Sequence, residues 1–229
     1  MKLFRLAPAV LILTVTVASG QEAWLIPFAA AFQPDIRGFN QSFAGHGLPM
    51  AATRHYGWGI EVRSLVDNIL LGPMFFRTWD DASTDSFHLR TEASGMFAEA
   101  GLKLVPTSFL TITPIIGAGG LSQSFSIRAR TGDLNFEELL GAPGQAATIL
   151  SGMKLTGLAA LEFGLATRTT SGRYGLAVRA GYLYSPLSVT WHLVNGARIV
   201  GTPAVKLAGP FFSLGLLLMP AAQNTSIRS

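Results

Sequence analysis

Strand-like alternation constrains this chain more than any other feature. In the run His55-Tyr56-Gly57-Trp58-Gly59-Ile60-Glu61-Val62-Arg63, Tyr56, Trp58, Ile60 and Val62 share one face, and Gly57, Gly59, Glu61 and Arg63 share the other. Arg173 to Tyr184 repeats the pattern. Period-two alternation describes any half-buried strand. Two further features narrow what it means here: the start of the chain and its shortage of charge.

The start reads as an export signal. Lys2 and Arg5 supply positive charge, Leu6 to Val17 is apolar, and Ala18-Ser19-Gly20 offers small residues for cleavage, so residues 1-20 are expected to be removed and the mature chain to begin near Gln21. The apolar stretch is short for a membrane helix, which needs roughly 20 apolar residues. Pro, Gly or charge interrupts every later apolar run. Yet charged residues make up only 13% and the mean hydropathy is +0.39, against about 25% charge in soluble domains. Strands that expose alternate apolar residues to lipid reconcile these facts, because only every second residue has to be greasy.

The absence of cysteine excludes disulfides and thiolate zinc sites. A net charge of +4, two units of it in the leader and none in a basic run, does not support nucleic-acid binding.

Eight strands are expected, at Leu25-Gln33, Met50-Leu65, Ile69-Trp79, Phe87-Leu104, Phe109-Gly119, Ser151-Arg168, Arg173-Tyr184 and Gly209-Met219. A short helix fits Asp35 to Gly45, where Phe39 and Phe43 are spaced i,i+4. Another fits Asp133 to Leu140, with Asp133 as N-cap. In the fourth strand Arg90, Glu92 and Ser94 share one parity while Glu99, Gly101 and Lys103 share the other, so a bulge near Gly95 is expected to unite them on one face. Connections are read as short after strands two, four and six. They are read as long after one, three (Asp80-Ser86), five (Gly120-Leu150) and seven (Ser185-Ala208), the last with an Asn-Gly turn at Asn195-Gly196. Alternating loop lengths and an even strand count are the asymmetry of an outer-membrane barrel. The fold class is therefore all-β, an eight-stranded antiparallel transmembrane barrel spanning residues 21-220, with a polar, side-chain-filled interior, short loop helices and a polar tail at 221-229.

Three segments carry a resemblance: Tyr56-Gly57-Trp58-Gly59, Arg179-Ala180-Gly181-Tyr182-Leu183-Tyr184-Ser185-Pro186 and Gly209-Pro210-Phe211-Phe212-Ser213-Leu214-Gly215-Leu216. With them the chain resembles the small eight-stranded outer-membrane barrels of diderm bacteria, over about residues 24-219. The resemblance implies a location in the bacterial outer membrane. It also implies contact with outer-membrane lipid and with the barrel assembly machinery, and a structural or surface-interaction role rather than a particular chemistry. One departure is the nine residues after Pro220, where such barrels commonly end on an aromatic residue.

Parity places Glu61, Arg63, Arg90, Glu92, Glu99, Lys103, Lys154, Glu162 and Arg179 in the lumen. Eight strands leave an interior just wide enough for side chains, so these charges are expected to pair as a structural plug. Tyr56, Trp58, Trp79, Tyr174, Tyr182 and Tyr184 suit interfacial aromatic girdles. Three other readings of the charges, rim and strands stand beside this one. A narrow passage for small or hydrophobic molecules would use broken pairing at Gly72-Pro73 or Pro114. A rim enzyme acting on lipid would use Asp85, Ser86 and His88, although triads are recognised by geometry, not spacing. A soluble lipocalin-like barrel would turn the apolar face inward. An extracellular or periplasmic partner, identity unknown, would meet the long loops. No metal-ligand spacing, phosphate loop or glycine fingerprint appears, so no cofactor is expected.

Overall fold

A computed structural model describes residues 22-107, 109-129, 146-169, 172-187, 189-193, 196-199 and 207-220. In chain order the elements are β1 (Glu22–Phe32), α1 (Arg37–Gly45), β2 (His55–Val66), β3 (Ile69–Ser83), β4 (Phe87–Leu102), β5 (Leu110–Ala129), β6 (Ala146–Leu150), β7 (Lys154–Thr169), β8 (Gly172–Tyr184), β9 (His192–Leu193) and β10 (Ala208–Pro220). All pairings are antiparallel. β1 lies between β2 and β10, the sheet runs on through β8, β7 and β5, and β4–β5 pairing closes it. The result is a closed eight-stranded barrel, with β6 paired to the far part of β5 and β9 paired to β6. Closure removes the free edges that would otherwise invite aggregation. The leader, the expected helix at 133-140 and the tail lie outside the described residues.

Short connections join β2 to β3, β4 to β5 and β7 to β8, at the end of the barrel where β1 begins and β10 ends. This is the turn end. At the β2–β3 turn, Asp67 adopts φ 55°, a left-handed conformation that aspartate tolerates better than most residues.

The strands differ from the sequence expectation in three ways, two of them at the loop end. Asp80 to Ser86 is not a loop. β3 and β4 pair as far as Ser83↔His88 and leave only residues 84-86 to connect them. Residues 120-129 likewise continue β5, and β4–β5 pairing reaches Phe87↔Ala129. Beyond the apolar belt these strands remain hydrogen-bonded while their outward residues turn polar, among them Arg77, Asp81, Glu92, Ser122 and Ser124. A paired strand satisfies its backbone as well in water as in lipid. β3, β4 and β5 thus rise above the other strands as a wall on one side of the rim. Near the expected Asn-Gly turn, Leu193 N–H donates to Ala197 O and Ile199 N–H to Trp191 O, as in a hairpin. Residues 194-195 are outside the described set.

The third correction concerns β4. Its pairing runs without interruption past Gly95, opposite Phe76 on one side and Leu121 on the other, so there is no bulge. Leu89, Thr91, Ala93, Gly95, Phe97 and Glu99 all point inward. Arg90 and Glu92 therefore point outward.

α1 leans on the inner face of the raised wall. Phe39 and Phe43 are the buried pair on its inner side; the Phe39 ring stacks on Phe125 at 4.6 Å and meets Trp191 edge-on at 4.7 Å. Reciprocal bonds between the Asn40 amide and the Ala51 backbone, each 2.9 Å, tie the chain returning to β2 across the helix.

Candidate functional site

One residue step separates the two faces of the barrel wall. On β7, β8 and β10, Phe163, Val178 and Leu214 stand side by side pointing outward, each about half exposed. In the next row Glu162, Arg179 and Ser213 point inward. The outward row continues as a belt that includes Leu155, Leu161, Leu165, Leu176, Phe212 and Leu216. Ile116 and Met96 extend it across β5 and β4. An exposed apolar surface of this extent is far beyond what scattered surface residues produce.

The inward charges meet in the turn-end half of the lumen. Arg179 reaches all three buried carboxylates: its Nη2 donates to Glu61 Oε2 at 2.5 Å and to Glu162 Oε2 at 3.0 Å, and its Nη1 donates to Glu99 at 3.1 Å. Arg63 donates two parallel bonds to Glu162, 2.6 and 2.5 Å, and also bonds Glu61. All five side chains are at most 6% exposed. Forked guanidinium–carboxylate pairs of this kind are the strong form of a charge-assisted bond and hold their geometry rigidly.

Not every charge expected in the lumen joins this network. Arg90 and Glu92 lie outside, because β4 keeps one parity. They form a surface chain on the raised wall in which Arg77 and Arg90 both donate to Glu92, and Arg90 and His88 approach Asp81. Lys103 points into the turn-end mouth, its ammonium 5.5 Å from the Trp24 ring centroid. Lys154 has inward parity but sits eight residues up β7 from Glu162, at the loop end.

Above the ions the filling is apolar, which qualifies the expected polar interior. Phe28, Phe32, Phe76, Phe97 and Phe211 form one buried cluster with Met74, Leu121 and Leu183. Phe76 packs parallel to Phe97 at 6.2 Å and tilts against Phe211 at 5.0 Å. A second cluster, built on Phe39, Phe43, Phe125 and Trp191, caps it. On β1, Ile26, Phe28, Ala30 and Phe32 share one face, and that face lines the lumen. Below the ions, at the turn end, lies a cup of about 460 Å³ with Arg63 and Glu162 at its floor and Trp24 in its wall.

The aromatic residues read as girdles divide by height. Tyr56, Trp58, Tyr182 and Tyr184 lie outward toward the loop end, and Tyr174 lies outward toward the turn end. Trp79 also has outward parity, half-buried, with the Arg90 guanidinium 6.0 Å from its ring.

The rim residues do not assemble as a triad. His88 Nε2 faces Asp81 Oδ1 at 3.3 Å across β3–β4, while Asp85 and Ser86 sit exposed in the turn. Of the two proposed lateral openings, the one at Pro114 is closed, while at Gly72-Pro73 the β2–β3 register is interrupted between Glu61↔Met74 and Ser64↔Leu71. β5–β7 pairing runs straight through Pro114↔Leu161. At Gly72 the β2 backbone comes so near that a Cβ would lie 1.8 Å from Val62 O, contact that only glycine permits.

These features define the class: a closed eight-stranded antiparallel barrel with an apolar outer belt and an ion-paired, side-chain-filled lumen. No family model and no curated protein matches the sequence. Among solved structures the chain is similar to Neisserial surface protein A (12% identity, TM-score 0.46, covering 87% of this chain and 96% of that one). It is also similar to a major outer membrane protein of Thermus thermophilus (12%, TM-score 0.49, 86% and 98%). A third is Ail, the attachment invasion locus protein of Yersinia pestis, solved in complex with the heparin analogue sucrose octasulfate (13%, TM-score 0.45, 86% and 98%).

Proposed function

We propose that this chain is an outer-membrane barrel whose role is structural or one of surface interaction, carried by its loop-end face. The belt around Phe163, Val178 and Leu214, one step from the buried Glu162–Arg179 pair, is the observation that carries the membrane reading. Lipid is the environment in which that outer face costs nothing and that inner face is the only place for charge. In this arrangement the short turns face the periplasm and the raised wall of β3, β4 and β5 projects outside. There a rigid scaffold presents a polar surface, with Arg77, His88 and Arg90 beside Asp81 and Glu92. The partners in this reading are outer-membrane lipid, the assembly machinery during insertion, and a ligand of the loop face.

Membrane fractionation combined with a gel of boiled and unboiled samples tests the location. Recovery in the outer-membrane fraction with a band that moves on boiling is the expected result. A soluble periplasmic protein with no shift sinks the membrane reading.

The layered filling of the lumen supports an anchoring scaffold over a transport barrel. Ions crossing it would have to displace the phenyl rings of Phe76, Phe97 and Phe211, each at most 4% exposed. In planar bilayers the purified protein is expected to show no stepwise conductance. Regular single-channel steps would favour the passage reading instead.

A further inference from the structure

We propose that α1, with the segment leading from it to Ala51, is a lid that opens and closes over a polar vestibule in the loop-end lumen. The wall of the vestibule is the inner face of β3, β4 and β5. Thr78 on β3 stands opposite Ala93 on β4, Ala93 stands opposite Gln123 on β5, and Thr91 is the next inward position along β4. Buried His55, two residues along β2 from the Gly57 opposite Thr78, extends the patch. Thr78, Thr91 and Gln123 are at most 2% exposed, yet Thr78 Oγ1, Thr91 Oγ1 and both polar atoms of the Gln123 amide have no hydrogen-bond partner. Nor does Trp191 Nε1, whose ring lies against Phe125 at 5.4 Å. Buried polar groups are nearly always paired, and leaving one unpaired costs more than a made bond gains. Solvent or a polar solute reaching the wall gives these groups the partners that the closed packing denies them.

The cover is built to come away. α1 is nine residues long with no side-chain cap at its N-terminus, and a helix this short does not hold its shape alone. Its grip on the wall is apolar, through Phe39 and Phe43 against Phe125 and Trp191. The reciprocal Asn40–Ala51 bonds hold the lid together rather than down. Its two ends are fixed: Asp35 N–H donates to Ala208 O on β10, and Ala52 N–H donates to Asp80 Oδ2 at 3.3 Å. Opening uncovers the rings of the lid while it relieves the hydroxyls and the amide of the wall, so the two terms oppose each other and neither state is locked. Beneath the wall, Phe76, Phe97 and Leu121 stay packed. The vestibule is therefore blind: the lid admits solutes to it, not through the barrel. The device stands on the packing of the lumen and does not depend on what the loop face binds.

The chain has no cysteine, so a single introduced thiol reports its own surroundings. The full mature chain in lipid nanodiscs, carrying Leu121→Cys, Ser122→Cys or Gln123→Cys at successive positions of β5, is exposed to the water-soluble reagent sulfonatoethyl methanethiosulfonate and followed by mass. Leu121 is as buried as Gln123 but belongs to the phenyl layer, whereas Ser122 points outward. Ser122→Cys is expected to react at once, and Gln123→Cys at least about tenfold faster than Leu121→Cys, the mark of local opening above a closed core. Phe39→Ala loosens the lid's grip and is expected to speed Gln123→Cys about tenfold again while Leu121→Cys stays slow. Each variant is first checked for its heat-shifted band, and Thr91→Cys replaces Gln123→Cys if that variant fails to fold. A rate for Gln123→Cys no faster than for Leu121→Cys, or one that Phe39→Ala leaves unchanged, overturns the lid. Equal acceleration of both thiols by Phe39→Ala overturns it too, because the whole barrel is then what loosens.

Discussion

Arg179→Leu is expected to lower the stability of the folded barrel by about 3–5 kcal/mol, the cost of removing one partner from a buried ion network. Arg179 is the only side chain among the described residues that bonds Glu61, Glu99 and Glu162 together. Without it, three carboxylates at most 6% exposed share a single guanidinium, that of Arg63, whose bonds go to Glu61 and Glu162. Leucine fills part of the space and supplies no donor. Glu99→Gln is the informative contrast. The network holds three carboxylates against two guanidiniums, and Glu99 meets Arg179, so the amide keeps an acceptor for Arg179 and removes the surplus negative charge. Its effect is expected within about 1 kcal/mol. Urea titrations of both variants in lipid vesicles, read by the unboiled gel band, give the two midpoints. Equal midpoints would mean that the ions are spectators and that the phenyl layer holds the lumen alone.

How much of this was legible in the sequence depended on whether the two faces of a strand differ. On β7, Leu161, Phe163 and Leu165 alternate with Glu162, and on β10 Phe212, Leu214 and Leu216 alternate with Ser213 and Gly215. There the parity sorted the residues onto two faces, the shortage of charge and the loop lengths turned the apolar one outward, and the structure places them accordingly. β1 reads Leu25-Ile26-Pro27-Phe28-Ala29-Ala30-Ala31-Phe32, apolar on both faces. Periodicity has nothing to choose between in such a run, and the phenyl-filled lumen stayed hidden because that strand supplies two of its rings. β4 misled for a different reason. Arg90 and Glu92 are charged because they stand outward above the belt, not because they line the lumen. A charge carries no record of whether lipid, water or a neighbouring strand is what it meets. The same ambiguity made Asp80 to Ser86 look like a loop, since polar strand and polar loop share composition. Of the nine charges read as lumenal, five were gathered into one network, and four of those, Glu61, Arg63, Glu162 and Arg179, lie on strands where apolar and charged residues alternate cleanly. Glu99 is the exception, on β4, where its parity was read correctly and that of Arg90 was not.

Leu214→Arg is expected to cost about 2–4 kcal/mol in lipid vesicles, the depth-dependent penalty for a cation at the middle of a barrel's lipid face. Leu214 sits at the centre of β10, 54% exposed, between Val178 on β8 and Ala29 on β1. It makes no contact with the ion network, so a loss of stability would report its surroundings alone. A soluble barrel with the same exposed leucine gives the opposite expectation, since surface substitutions in water usually stay within about 0.5 kcal/mol. Ser124→Arg supplies the internal control. It also points outward, on β5, but opposite Glu92 and near the Ser126 and Thr148 hydroxyls above the belt, where an added cation is expected to cost about 1 kcal/mol or less. A steep loss at position 214 with little at 124 would place lipid around the one and water around the other. Parity of the two effects would mean that both positions face water. The belt of leucine and phenylalanine would then need a protein partner, not a membrane, to cover it.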